Sequence, residues 1–258
     1  MAKSDPLKEA RKQFAYTDEQ FKGFVTRLDG FLFQHLSFLL KPIARNPEDQ
    51  AEAIKVLGSL YSSLRQLGLD DELRSIERIY GSQIKHVRET FEGLGVKQVF
   101  SDLDVTIVKN LIDFDTSAVA NNVRLYTDDV AATVMRSVIA GEEPDFAQIH
   151  DKFGTTLARN IETEAQTLLQ GFSRAVTVGK AKELGFDLFI YLGPDDKVTR
   201  PFCQHVLDKD PPIYTTEEIQ RMDNGQGLDV FTYGGGYNCR HDWRPISEES
   251  ARDLGWNP

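Results

Sequence analysis

"ARNIETEAQTLLQGFSRAVTVGKAKELGFDLFIYLG", residues 158–193, contains the change of period that decides the fold. Up to Gly185, the apolar positions Leu157, Ile161, Ala165, Leu168, Phe172 and Val176 recur at helical intervals, predicting a helix over roughly 155–184. Gly185 stops it. "FDLFIYLG" (186–193) is β-branched and aromatic and reads as a strand.

Beyond that strand the chain keeps short beats. "GPDDKV" is turn chemistry, and "TRPFCQHVLD" reads as a short helix or irregular knuckle. "TTEEIQRM" (215–222) pairs Thr215 with Glu218 as a capping box. "LDVFTYGGG" and "CRHDWRPI" read as two more strands around a glycine turn, where side chains would not fit. "SEESARDLG" (247–255) is a last short helix.

Working back towards the start, every segment is helical. The pattern predicts helices over 101–112, 117–140 (ended by Gly141) and 144–153. In the first hundred residues, "TDEQ" (17–20) has the form of a capping box. Behind it run Phe21, Phe24, Val25, Leu28, Phe31, Leu32, Leu36 and Leu39, and "KP" (41–42) is read as the helix end. Asn46 and Pro47 are read as cap and first residue of the next helix, with Ile54, Leu57, Leu60, Tyr61 and Leu64 inside. "GLDD" (68–71) punctuates, a third helix covers 71–91, and "EGLG" (92–95) closes the group. The expected fold is therefore α+β but predominantly α: a helical N-terminal and middle body with a small C-terminal unit of short antiparallel strands. Three segments follow: a helical bundle over 1–95, a helical core over 96–185 and a small α+β clasp over 186–258.

Charge narrows the partners. The formal net charge of −10 is distributed as +1 over residues 1–100, −5 over 101–185 and −6 over 186–258. An acidic surface of this kind repels phosphate, so direct nucleic-acid binding through a basic face is not expected. "FLFQHLSFLL" (31–40) is the longest apolar run and is too short to span a bilayer, so no membrane role is expected. The start, "MAKSDPLKEARKQ", has no signal-like apolar stretch. A reducing compartment is the default for two cysteines.

Those cysteines carry the chemistry. Cys203 and His205 lie in "RPFCQH", and Cys239 and His241 lie in "YNCRHDWRPI" (237–246). On a strand Cys239 and His241 would share a face, and with Cys203 and His205 they offer a four-ligand zinc set. The one-residue spacing departs from the usual two to four of structural zinc, and on a helix Cys203 and His205 would diverge. A Cys–His catalytic pair and a Cys203–Cys239 disulfide are further readings; the plainest is two small buried cysteines in a tight clasp. No residue is assigned a catalytic role. His35 reads as a core-edge residue, His86 and His150 as solvated.

The order of these elements resembles the phage head-morphogenesis family, the Mu F-like minor head proteins encoded beside the portal gene. "RNIETE" (159–164) stands where that family's long helix carries an Arg-Thr-Glu-like element. Asp195 or Asp196, Thr199, Arg200, Pro201 and Cys203 match its Asp-x-x-x-Thr-Arg-Pro turn. Cys239, Arg240 and His241 occupy its Cys-Arg-Cys positions, and Pro245 its strand proline. The family's preceding histidine falls at Gly236 and one of its cysteines at Arg200, so two of its possible ligand positions are lost. The match spans roughly residues 105–250.

The resemblance implies a structural virion protein of the bacteriophage head, a minor capsid protein made in the host cytoplasm and associated with the portal vertex. Its partners would be the portal protein or the major capsid protein, with self-association open, and its work virus assembly or DNA delivery. In the clasp, Asp196, Thr199, Arg200, Pro201, Arg240, Trp243 and Pro245 are expected to be structural. Arg240 and Arg244 would pair with carboxylates and Trp243 would fill the small core. A zinc-stabilised helical adaptor, or a Cys–His or metal-dependent hydrolase, are the competing readings.

Overall fold

The computed structural model describes residues 6–46 and 49–257. Helices α1 (Pro6–Arg45), α2 (Gln50–Gly58), α3 (Leu60–Gln66), α4 (Leu69–Arg74) and α5 (Glu77–Gly93) lead into two long ones, α6 (Asp102–Ala140) and α7 (Phe146–Glu183). The tail follows as β1 (Leu188–Leu192), α8 (Pro201–Leu207), β2 (Ile213–Thr215), α9 (Thr216–Gln220), α10 (Val230–Tyr233), β3 (Asp242–Pro245) and α11 (Glu248–Asp253). The chain is 69% helical with one three-stranded antiparallel sheet, an α+β fold that is predominantly α.

The chain divides into two compact units, residues 1–19 with 79–112 and 165–258, and residues 20–78 with 113–164. These do not follow the divisions at 95 and 185 expected from the sequence, because they group segments by packing rather than by order along the chain.

In the second unit, Phe21, Phe24, Leu28, Leu32, Leu36, Leu40 and Ile43 form the buried stripe of α1. That stripe carries the helix through Pro42, where a stop was expected; Asn46 N–H donates to the Pro42 carbonyl at 3.2 Å. Asp49, not Asn46, caps α2 by accepting from Glu52 N–H at 3.0 Å, and Pro47 lies outside the described residues. Ala53, Leu57, Leu60 and Leu64 are the buried residues of α2 and α3, while Ile54 faces out at 61% exposure.

Two expected breaks are absent from the long helices. The 101–112 and 117–140 segments are one helix, since no Gly or Pro falls between them. Gly154 does not interrupt α7 either. A Cβ there would sit 3.2 Å from His150 Nε2 and 3.4 Å from Asp29 Oδ1, so the glycine serves close packing. His150, expected to be solvated, is instead mostly buried, 2.8 Å from Tyr126 Oη and 3.4 Å from Asp29 Oδ1.

In the first unit, Thr17 is inside α1 rather than at its start. It is buried and accepts from Gln83 Nε2 at 2.7 Å, which uses the oxygen a cap would have needed. The sheet order is β2–β1–β3, both pairs antiparallel, with Tyr191 opposite Trp243 and Phe189 opposite Tyr214. Every residue of β1 is buried, which is why its sequence is continuously apolar rather than alternating. One face carries Phe189, Tyr191, Tyr214 and Trp243 into a core with Val87, Phe91, Val178 and Ala181. The other carries Leu188, Ile190, Leu192 and Ile213 against Ala251 of α11.

The capping box at Thr215 and Glu218 is present in both directions. The strand expected at 228–236 is a single helical turn. Asp229 caps it by accepting from Thr232 N–H, and Gly234 at φ +55° ends it, which outweighs the β preference of Val230, Phe231 and Thr232. One outer strand of the sheet is the three-residue β2, too short to show a period.

Candidate metal centre

Two segments deliver sulfur and imidazole to one point. Pro201 begins α8, whose buried face holds Cys203 and Val206. Cys239 and His241, expected on a strand, lie just before it in the chain entering β3, and both are buried. Cys203 Sγ and Cys239 Sγ are 3.7 Å apart, both thiols free, and Cys239 Sγ is 3.8 Å from His241 Nδ1. All three candidate ligand atoms fall within 4.8 Å of one another, an arrangement able to hold a metal ion. His205 does not join them. On a helix it points away from Cys203, and it is exposed at the surface. The expected four-residue ligand set is thereby corrected to three.

Tyr191 completes the enclosure. Its hydroxyl lies 3.4 Å from Cys203 Sγ and 3.7 Å from Cys239 Sγ, and its ring stacks on His241 at 5.2 Å between centroids. Trp243 lies against Tyr191 at 4.3 Å and donates from Nε1 to the Val230 carbonyl at 3.0 Å.

The glycines of "TYGGGYN" leave room for the cysteines. A Cβ on Gly235 would stand 2.3 Å from Cys203 Sγ, and one on Gly234 2.9 Å from Cys239 Sγ. Gly235 N–H donates to Cys239 Sγ at 3.1 Å. Gly193 similarly leaves room for His241, whose Cδ2 would be 2.3 Å from a Cβ.

Arg174 of α7, fully buried, ties the long helix to this loop. Its Nε donates to the His241 carbonyl at 2.8 Å, Nη1 to Thr232 at 3.0 Å, and Nη2 to Cys239 and His241 at 2.6 Å each. Four bonds to three carbonyls fix the backbone that presents Cys239 and His241.

The electrostatics are asymmetric. The Cys203 contact, reinforced by His241 and by Arg174, holds the Cys239 thiol well below its ordinary range despite burial. The same contact and burial push Cys203 far up. Burial raises Tyr191 as well. Asp242 is pushed up by burial; among the described residues its Oδ1 has no hydrogen-bond partner, and the buried His241 Nε2 has none either.

The remaining predicted residues brace the outside of the clasp. Asp196 pairs with Arg240 at 2.7 and 2.8 Å, and the Arg240 bond lowers its carboxyl to about 2. Asp196 N–H donates to Thr199 Oγ1, whose hydroxyl donates to the Pro194 carbonyl at 3.0 Å. Arg200 Nη1 donates to the Gly235 carbonyl at 3.1 Å, joining the Thr-Arg-Pro turn to the glycine loop. Trp243 is completely buried and Pro245 pairs with Phe189 at the end of β3.

Arg174, Tyr191 and Gly235 were not singled out as site residues from the sequence. Period two along β1 places Tyr191 on the Phe189 face, which was readable; that this face meets the cysteines depends on the fold. "RNIETE" (159–164) belongs to the other unit, where Glu164 accepts from Asn122 Nδ2.

Comparison with protein-family models, curated proteins and solved structures returns no match.

Proposed function

We propose that this chain is a structural protein of the bacteriophage head, a minor head protein that docks on the portal or capsid and acts in head assembly or DNA delivery. The observation that carries the reading is the convergence of the Thr-Arg-Pro turn and the closing motif, two of the segments on which the resemblance rests, with the later part of the long helix. Arg200 of the Thr-Arg-Pro turn bonds the glycine loop, Asp196 bonds Arg240 of the closing motif, and Arg174 of the long helix bonds the carbonyls of Cys239 and His241. Residues that are short and separate in sequence thus form one mechanical piece.

The clasp is a rigid feature rather than a reaction site. Cys203 and His241 are 2% exposed, which gives a Cys–His nucleophile no face to present to a substrate. A helical adaptor stabilised by zinc draws on the same cluster and differs in its partner. The test is mass spectrometry of purified, intact phage particles with portal-vertex fractions alongside. The expected result is this chain in the particle, enriched with portal; its absence from particles overturns the head-protein reading.

A further inference from the structure

The geometry points to a closed, four-coordinate zinc site made by Cys203 Sγ, Cys239 Sγ, His241 Nδ1 and the phenolate oxygen of Tyr191. This stands independently of the phage-head reading, since it uses only the side chains in the cluster.

The edge lengths are the first argument. With Zn–S near 2.3 Å and Zn–N or Zn–O near 2.0–2.2 Å, a tetrahedron has S–S edges of about 3.8 Å and S–N or S–O edges of about 3.6 Å. The observed separations are 3.7 Å between the sulfurs, 3.8 Å from Cys239 Sγ to His241 Nδ1, and 3.4 and 3.7 Å from Tyr191 Oη to the sulfurs. Four of the six edges therefore match, with Tyr191 Oη at a corner distance from both thiolates, while the donor atoms of Cys203 and His241 lie within 4.8 Å of each other.

Hydrogen bonding is the second argument. Tyr191 is completely buried, and among the described residues its hydroxyl contacts only the two sulfurs, which are weak partners. Thiolates and imidazole are donor classes zinc takes, and a phenolate would supply an anionic oxygen in the place a carboxylate usually fills. Gly235 N–H aimed at Cys239 Sγ supports thiolate charge, and the missing Cβ at Gly235 leaves Cys203 Sγ its place. With four protein ligands and no solvent-facing corner, the zinc is structural: it pins α8 and the chain entering β3 to β1.

The test begins with full-length protein made in zinc-supplemented medium and purified under reducing conditions without chelator. Elemental analysis is expected to find about one zinc per chain. Adding zinc to the metal-stripped wild-type chain is expected to produce a tyrosinate difference absorption that saturates at about one equivalent. Tyr191→Phe should lose that signal and bind zinc about tenfold or more weakly, while keeping the thiolate-to-cobalt band on cobalt substitution. Cys239→Ser should weaken the band, since one of the two thiolates remains.

A content below about a tenth of an equivalent overturns the site, since structural zinc binds tightly. So does a Cys203–Cys239 disulfide in the same preparation. Zinc binding without any tyrosinate signal in the wild-type chain overturns the role of Tyr191, and that measurement does not depend on whether the variant folds.

Discussion

At the scale of single residues, Arg174 sets the largest expected effect. Each carbonyl it leaves unsatisfied costs on the order of 1–3 kcal/mol, and it serves three. Arg174→Met is expected to destabilise the first unit by at least ~3 kcal/mol in urea unfolding, and a loss under ~1 kcal/mol would show that those bonds are replaceable by water. Gly235→Ala forces a Cβ against Cys203 Sγ and should cost ~1–3 kcal/mol, as overpacking does. His86 was expected to be solvated, yet it is buried, and among the described residues its Nε2 has no partner. Burial first, then Arg244, lowers it from 6.5 to about 3. The neutral ring is the folded form, so its contribution is complete above pH 6.5 and falls as pH drops towards 3. The slope should approach ~1.4 kcal/mol per pH unit within that window. His86→Gln should flatten the acid limb of the stability curve; an unchanged limb would remove His86 from the account.

At the scale of elements, most types were legible and most ends were not. The switch from period 3.6 to a strand at Gly185, the capping box at Thr215 and the short helix after Ser247 all rest on local signals, and local signals survive folding. The misread ends share a cause. Pro42, Gly154 and the Thr17 box are breakers or caps in isolation, and tertiary burial of Leu40, His150 and Thr17 overrode each. Another tie joins the start of α6 to the end of α7: Lys180 Nζ lies 2.7 Å from both Asp104 Oδ2 and Glu183 Oε2. The Lys180 bond and the Ser101 backbone bring Asp104 down to about 2. Its stabilisation is present above the ordinary carboxylate range and lost as pH falls from about 4 to 2. Asp104→Asn should cost ~1 kcal/mol near neutral pH, because Glu183 still holds the ammonium, and nothing measurable below pH 2. Urea midpoints at the two pH values check this.

At the scale of the whole molecule, composition and period were enough for a predominantly helical chain with a small sheet. The site was half legible. Cys-x-His on an extended chain could be read as one face, and Cys203, Cys239 and His241 do meet. His205 and Tyr191 could not be sorted from the sequence, since one points away only because α8 is a helix and the other arrives only because β1 is central. The same long-range pairing puts a glycine loop, a turn arginine and a helix arginine around one metal-sized space. If zinc locks that space, it should govern local opening of the clasp, because binding energy to the folded state adds to its stability. Hydrogen exchange followed by mass spectrometry on the full chain, before and after zinc is stripped, tests this most directly. The account predicts that protection collapses in residues 188–192, 201–207 and 242–245 on stripping and returns on adding zinc back. Unchanged exchange in those three segments would contradict it.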